Sequence, residues 1–175
     1  KEGIIVSDDG HGMGADDLEL CIERHATSKI QSPGDLFAIE TVGFRGEALP
    51  SIAGVSHLSI ESLAAGEVVG NRLVVEGGVR RVLEPIARDR GTMMSVRHLF
   101  FNTPARRKFL RQNETEARHT TQVLVNLAAA YPKVHFELWH NQRRTLLFRQ
   151  GDDRTRAAEL LNVSSEDLAA VDFEL

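Results

Sequence analysis

The spacing of apolar residues predicts alternating helices and strands in the first two thirds of the chain. Residues 3–6 form a short, β-branched run that ends in a polar turn, which predicts a strand. Apolar residues at helical spacing predict amphipathic helices over residues 16–25 and 47–53. From residue 57 to residue 101 the apolar period becomes two, and glycine turns interrupt it. This region therefore predicts an antiparallel meander.

The last third of the chain predicts a long helix, a hairpin and a further helix. Residues 114–131 carry apolar side chains at helical spacing, and Pro132 stops the pattern. Two alternating runs flank Asn141 and Gln142, which predicts a β-hairpin. A polar loop at residues 150–153 leads into a helix that runs through Leu161.

Composition narrows the possible classes of protein. The chain has 175 residues, 42% hydrophobic and 26% charged, and a net charge of −4, so whole-chain charge gives no support for nucleic-acid binding. No apolar run is long enough to cross a bilayer. The single cysteine, Cys21, excludes an internal disulfide and is interpreted as a buried apolar residue. The chain begins inside a predicted strand without an initiator Met, so we expect it to be a piece of a longer protein.

Candidate chemistry begins where the first strand meets a glycine-rich turn. Asp8 ends the strand, and Gly10 and Gly12 follow within four residues. A carboxylate in such a pocket needs a hydrogen-bond donor, and the exocyclic amine of a purine is one. The alternative is an ordinary Asp-Gly turn, which is several times commoner when no context is given.

Two further segments offer partners for an anion. Residues 27–29, Thr-Ser-Lys, provide two hydroxyls and a cation, the groups that phosphates prefer; the alternative is a solvated helix end. Residues 43–49, Gly-Phe-Arg-Gly-Glu-Ala-Leu, place two glycines before a helix N-terminus, where main-chain N–H groups favour anions. The alternative there is a tight loop whose Arg45 makes a surface salt bridge.

The only dense basic patch is Arg106, Arg107 and Lys108. Such a patch can hold an ordered anion or contact a nucleic-acid backbone, and the alternative is a solvated loop. We favour a role of these residues in domain packing over DNA binding. The seven histidines lack metal-ligand spacing, and we predict no metal site within the chain. No nucleophile triad, repeat or GxxxxGK[ST] phosphate loop is present.

Four blocks in fixed order carry a family resemblance: residues 8–12, 26–29, 43–49 and 102–110. The first block is shared by the whole GHKL group of ATPases, whereas the others are specific to the MutL branch. The chain therefore resembles the N-terminal ATPase region of the MutL family of DNA mismatch-repair proteins. The resemblance implies an α+β fold of the GHKL (Bergerat) type: a two-layer sandwich with a mixed, mostly antiparallel sheet, helices on one face, and an incomplete N-terminal end.

The resemblance also implies a role for each matched residue. Asp8 would accept a hydrogen bond from the adenine amine, with Thr92 acting beside it through bound water. Gly10 and Gly12 would let the main chain pass under the base and ribose. Residues 27–29 match a lid segment, and the loop before the second helix would hold phosphates. The implied ATP-binding residues are Asp8, Gly10, Gly12, Thr27, Ser28, Lys29, Gly43, Phe44, Arg45, Gly46, Glu47, Ala48, Leu49 and Thr92.

For the parent protein, the resemblance implies ATP and Mg²⁺ as cofactors and ATP-driven dimerisation that couples mismatch recognition to excision. Its implied partners are a second copy, a MutS-type mismatch-recognition protein and, weakly, DNA, in the cytoplasm and away from membranes. The catalytic glutamate and Mg²⁺-binding asparagine are expected upstream of Asp8, and a phosphate-contacting lysine beyond Leu175. Residues 1–150 are expected to form the ATPase domain, and residues 151–175 a linker and the start of the next. The alternatives are a nucleotide-binding or interaction module without turnover, and another GHKL ATPase.

Overall fold

The computed structural model describes residues 3–23 and 46–169. The chain divides into two compact units, Lys1–Phe109 and Leu110–Leu175. The boundary predicted at residue 150 lies inside the second unit, so the assignment of residues 1–150 to one ATPase domain stays a prediction.

The first unit is a five-stranded antiparallel sheet in the order β1-β5-β2-β3-β4. Three short helices accompany it within residues 3–23 and 46–109. The strands are β1 (Gly3–Asp8), β2 (His57–Leu63), β3 (Gly70–Glu76), β4 (Val79–Ile86) and β5 (Gly91–Arg97), and the helices are α1 (Ala15–Leu20), α2 (Ala48–Ala53) and α3 (Pro104–Lys108).

The apolar core lies on one face of this sheet. Strand β2 alternates between buried and half-buried residues, and its buried Leu58 and Ile60 share a face with Leu73 of β3. Leu18 of α1 and Ala53 of α2 pack into the same cluster. The sheet is therefore covered by helices on that face, which confirms the predicted α+β class with helices on one side.

The predicted meander is correct for β2, β3 and β4 but wrong for β5. Strand β5 pairs with β1 and β2 instead of following β4 at the edge. The crossing spans three strand spacings, about 14 Å, and the five Cα–Cα steps from Ile86 to Gly91 can reach roughly 17 Å. Arg88 secures it, because its guanidinium donates to the Glu61 main-chain oxygen in β2.

The strand limits also differ from the apolar pattern at two places. The pattern predicts strand through Phe101, yet β5 ends at Arg97, because His98 and Phe100 adopt positive φ angles of 51° and 63°. Such angles cannot continue a strand. The apolar pattern also predicts strand at Val68 and Val69, but these residues lie in an exposed bend before β3.

Strand β1 lies at one edge of the sheet. It pairs with β5 on one side, and within the described residues no strand pairs with its other side. Its three consecutive apolar side chains are exposed, at 53% for Ile4, 58% for Ile5 and 59% for Val6. Ile4 and Val6 lie opposite Val96 and Met94, so they continue the core face outward to this edge.

The second unit confirms the elements predicted for it. Helix α4 (Asn113–Ala130) is followed by the hairpin β6 (Phe136–His140) and β7 (Arg143–Phe148), and then by α5 (Asp153–Leu161). Asn141 and Gln142 both have positive φ, at 50° and 65°, as a two-residue hairpin turn requires. The Thr155 N–H caps α5 at the Asp152 carboxyl. Hydrogen bonds from the Thr155 side chain, and then from its main chain, lower the pKa of that carboxyl.

A single buried arginine organises the second unit. Arg156 of α5 is 2% exposed, and its guanidinium donates to five main-chain oxygens. These lie at the end of α4, in the segment before β6 and just after β7. The guanidinium also lies over the rings of Phe136 and Phe148, at 5.9 and 5.4 Å from their centroids, and is paired with Glu159 at 3.3 Å. The five acceptors are the main-chain oxygens of Ala128, Tyr131, Pro132, Val134 and Arg149.

Candidate functional site

Three polar residues form one row across three neighbouring strands. Asp8 of β1 lies opposite Thr92 of β5, and Thr92 lies opposite Ser62 of β2. Residues directly opposite one another in a sheet project to the same face. Ile60 and Met94 lie two positions away on that face, so the polar row continues the core face at the end of the sheet.

One oxygen of the Asp8 carboxylate is hydrogen-bonded within the chain, and the other is available to a ligand. Its Oδ1 accepts a hydrogen bond from the Gly10 N–H at 2.9 Å, which fixes the turn that follows β1. The carboxylate has no other hydrogen-bond or ion-pair partner among the residues at 3–23 and 46–169, and Asp8 is exposed. The second carboxylate oxygen can therefore accept a bond from a ligand, as the sequence predicts.

Strand β1 is held in its register by a close approach to β5. A Cβ atom at Gly91 would lie 2.1 Å from the main-chain oxygen of Asp8, and Gly91 has φ +114°. Only glycine allows the two main chains to lie this close. Gly91 therefore places the end of β1, and with it Asp8, next to Thr92.

The glycine turn packs tightly against the loop after β2. Gly12 has φ +71°, and a Cβ atom there would lie 1.9 Å from the main-chain oxygen of Leu63. The N–H of Ala65 donates to the main-chain oxygen of His11 at 2.7 Å, and Arg90 Nε donates to that of Gly10 at 3.0 Å. Within this chain, glycine at position 12 is thus required by a close main-chain contact.

The Thr92 hydroxyl is buried and hydrogen-bonded. Thr92 is 5% exposed, and its Oγ1 lies 3.0 Å from Ser62 Oγ. Ser62 is fully buried; its Oγ accepts the Met13 N–H at 2.7 Å and donates to the Gly91 main-chain oxygen at 3.1 Å. One hydroxyl thus joins the glycine turn, β2 and the start of β5.

The structure brings four of the predicted site residues together: Asp8, Gly10, Gly12 and Thr92. Gly46, with φ +60°, and Glu47 precede α2, which begins at Ala48, one residue after the predicted start. Leu49 packs against the core of the first unit. The remaining predicted residues, Thr27, Ser28, Lys29, Gly43, Phe44 and Arg45, lie outside the described residues.

Sequence reasoning missed Ser62. The signal was the inward alternation of β2, in which Leu58 and Ile60 are followed two positions later by a polar residue. A hydroxyl at an inward position needs partners, and here they all belong to the site.

Other features of the described residues do not add to this site. Arg106, Arg107 and Lys108 lie on α3 and are exposed, so their role stays a prediction. In the ranges 3–23 and 46–169, no group of three or more His, Cys, Asp or Glu residues is arranged to hold a metal ion. No helix within the same ranges is both long and apolar enough to span a membrane.

Cys21 packs against the core but is half-buried and not fully buried as predicted. Its Sγ donates to the Leu18 main-chain oxygen at 3.2 Å, and burial raises the pKa of the thiol from 9.0 to about 11. Two pKa units lower the thiolate fraction at pH 8 about a hundredfold. We expect iodoacetamide to alkylate the folded chain about a hundred times more slowly than the urea-unfolded chain. Equal rates in the two states, measured by mass spectrometry, would contradict this.

Comparison with known proteins gives consistent sequence relatives. The DNA mismatch repair protein MutL of Myxococcus xanthus is 54% identical over 137 residues, which cover 78% of this chain and 22% of that protein. The MutL protein of Streptococcus thermophilus strain LMD-9 is 43% identical, over 98% of this chain and 28% of its own length. The chain thus spans about a quarter of the length of these curated relatives. Comparison with models of protein families gives no match.

Solved structures agree with the sequence relatives. The Aquifex aeolicus MutL ATPase domain complexed with ADP superposes with a TM-score of 0.72 at 29% identity, covering 93% of this chain and 57% of that domain. The same domain with a K252N mutation gives a TM-score of 0.69 at 27% identity, covering 92% and 53%. The sheet, the glycine turn and the relatives all lead to one assignment. The chain belongs to the MutL family and corresponds to part of its N-terminal ATPase region.

Proposed function

We propose that this chain is the adenine-binding part of a MutL-type ATPase that acts in DNA mismatch repair. The observation that carries the proposal is the alignment of Asp8 and Thr92 at the end of the sheet, beside a glycine turn that is fixed in place. The Aquifex aeolicus relative was solved as an ADP complex, which supports a nucleotide as the ligand.

The residues present fit an adenine nucleotide. Asp8 is acidic and exposed, one of its oxygens is held by Gly10, and the other is open to a donor. The exocyclic amine of adenine supplies such a donor, and a hydrogen bond to an ionised acceptor contributes more than one between neutral groups. Thr92 lies next to Asp8 on the same face, where it can act on the same base edge through a bound water.

The phosphates are assigned to the segments that the family resemblance identifies. We propose that residues 27–29 and 43–45 act as lid and phosphate loop, and that main-chain N–H groups at the start of α2 continue that loop from Gly46 to Leu49. Bound ATP with Mg²⁺ would supply a transferable γ-phosphoryl group. The groups that position water and Mg²⁺ are assigned to segments preceding Asp8, and a phosphate-contacting lysine to the domain after Leu175.

For the whole protein, we propose that ATP orders the lid and drives dimerisation of the N-terminal regions, an order–disorder switch. The dimer would relay mismatch recognition by a MutS-type partner to excision and contact DNA weakly, in the cytoplasm. MutL relatives named as DNA mismatch repair proteins support this pathway.

Calorimetric titration with ADP and an ATP analogue tests the adenine site. Asp8→Asn is expected to weaken binding by about 2 kcal/mol, roughly thirtyfold, because an amide replaces one charged acceptor. The titration uses the longest natural polypeptide that carries this sequence. The matched control is Asp9→Asn, since Asp9 is the adjacent exposed carboxylate and follows the end of β1.

Two outcomes would overturn the proposed adenine site. One is that the folded polypeptide binds neither nucleotide. The other is that Asp8→Asn binds ADP as tightly as Asp9→Asn does. Either result would show that Asp8 does not bind adenine at the end of β1.

A further inference from the structure

Ser62 is the fully buried centre of the polar row. Its Oγ lies within hydrogen-bond distance of three atoms: the Met13 nitrogen at 2.7 Å, the Thr92 hydroxyl at 3.0 Å and the Gly91 oxygen at 3.1 Å. These partners belong to the glycine turn and to β5, the two segments that flank Asp8. Ser62 itself is 0% exposed, so it cannot contact a ligand.

The number of protons fixes the direction of these hydrogen bonds. A serine hydroxyl donates one hydrogen and accepts up to two. The Met13 N–H can only donate to it, and the Gly91 carbonyl can only accept from it. The single Ser62 hydrogen is therefore used on Gly91, and the Thr92 hydroxyl must donate to Ser62. Thr92 has then spent its own hydrogen and can act toward any other group only as an acceptor.

We propose that Ser62 is a positioning residue that holds the Thr92 hydroxyl as a hydrogen-bond acceptor at the nucleotide site. This inference rests on the proposed adenine site. Asp8 and Thr92 then form two neighbouring acceptors on one face of the sheet. A base edge satisfies both only if it brings N–H donors, as the 6-amino group of adenine does. The 6-oxo group of hypoxanthine or guanine brings another acceptor and is disfavoured.

The physical consequence concerns selectivity and not only affinity. When Ser62 lacks its hydroxyl, the Thr92 hydrogen is released from its fixed direction and can be donated to the bound water, which can then donate to a 6-oxo group. Discrimination between a 6-amino and a 6-oxo purine should then fall, because Thr92 is no longer restricted to accepting hydrogen bonds. A general loosening of the fold would weaken both nucleotides together.

The test compares ADP with inosine diphosphate, which carries 6-oxo in place of 6-amino, in calorimetric titrations of the longest natural polypeptide that carries this sequence. For Ser62→Ala we expect the ratio of the two dissociation constants to fall about threefold to tenfold, the range of one neutral hydrogen bond. Ser56→Ala is the matched control. Ser56 is also fully buried, but its hydroxyl donates to the Ile52 main-chain oxygen at 2.7 Å, near the end of α2.

Thr92→Val provides a second, independent variant. It removes the hydroxyl through which Ser62 acts, so the same ratio should fall, and adding Ser62→Ala to it should change the ratio no further. Should Ser62→Ala not fold, Ser62→Cys replaces it, because a thiol of similar size is a weaker donor and acceptor.

The outcomes separate this inference from the proposed function. Loss of ADP binding in Asp8→Asn together with an unchanged ratio in Ser62→Ala would overturn the role of Ser62 and leave the adenine site standing. An unchanged ratio in Thr92→Val would also overturn it. If the wild-type polypeptide binds neither nucleotide, the proposed function itself fails, and the inference fails with it.

Discussion

Gly12→Ala is expected to destabilise the first unit by roughly 4 kcal/mol and to abolish nucleotide binding. Two costs combine. Position 12 has φ +71°, where a Cβ costs about 1–2 kcal/mol, and that atom would lie 1.9 Å from the Leu63 oxygen, a main-chain atom that cannot turn aside. The turn must separate from the loop after β2, which also breaks the hydrogen bond between Ala65 and His11. Urea denaturation followed by far-ultraviolet circular dichroism, with ADP titration, measures both effects.

Gly66→Ala separates these two costs. Gly66 has a similar positive φ of +88°, but a Cβ atom there would meet nothing within 4 Å. We expect it to lose only about 1–2 kcal/mol and to retain nucleotide binding. If Gly12→Ala and Gly66→Ala unfold at the same urea concentration, the result would contradict a tight contact between the glycine turn and Leu63.

Arg156→Ala is expected to destabilise the second unit by about 3–5 kcal/mol, because five main-chain oxygens lose their donor and Glu159 loses its buried partner. Arg156→Lys should recover only part of this loss, since an ammonium has three donors and lacks the planar fork. Trp139, the only tryptophan in the chain, lies on β6, so its fluorescence during urea denaturation reports this unit.

Arg154→Ala is the control for the loss of an arginine from the same helix. Arg154 also donates to main-chain oxygens, those of Ser165 and Leu168 at 2.7 and 2.8 Å, but it is exposed. We expect a change of at most about 1 kcal/mol from it. A Trp139 transition that moves equally in Arg154→Ala and Arg156→Ala would show that burial of the guanidinium adds nothing.

Local patterns predicted the elements well where neighbours along the chain decide the structure. The β1 strand, the α2 helix after Gly46 and the hairpin at Asn141 each follow from residues within a few positions. The side of β2 on which β5 pairs depends instead on contacts between distant residues, such as Gly91 with Asp8 and Arg88 with Glu61. The period of apolar residues does not indicate which strands pair, so the predicted meander is wrong at β5.

The candidate site likewise contains residues that local patterns predict and residues that they do not. Asp8 and the glycines are recognisable because a carboxylate followed by Gly-x-Gly is a local pattern, and Thr92 came from the family resemblance. Ser62 could not be assigned by either route, since its role exists only once three strands are aligned. An inward polar residue on an apolar strand was its only sign in the sequence.

If Asp8 binds the base as proposed, the edge position of β1 makes strand alignment itself a condition of ligand recognition. A slip of one residue along β5 would turn every β1 side chain to the opposite face, replacing Asp8 in the row by Ser7 or Asp9. Within the described residues β1 has only β5 to hold its register, and at Gly91 a Cβ atom would lie 2.1 Å from the Asp8 main-chain oxygen. At the proposed adenine site, specificity for the base would thus depend on the close main-chain approach that Gly91 allows.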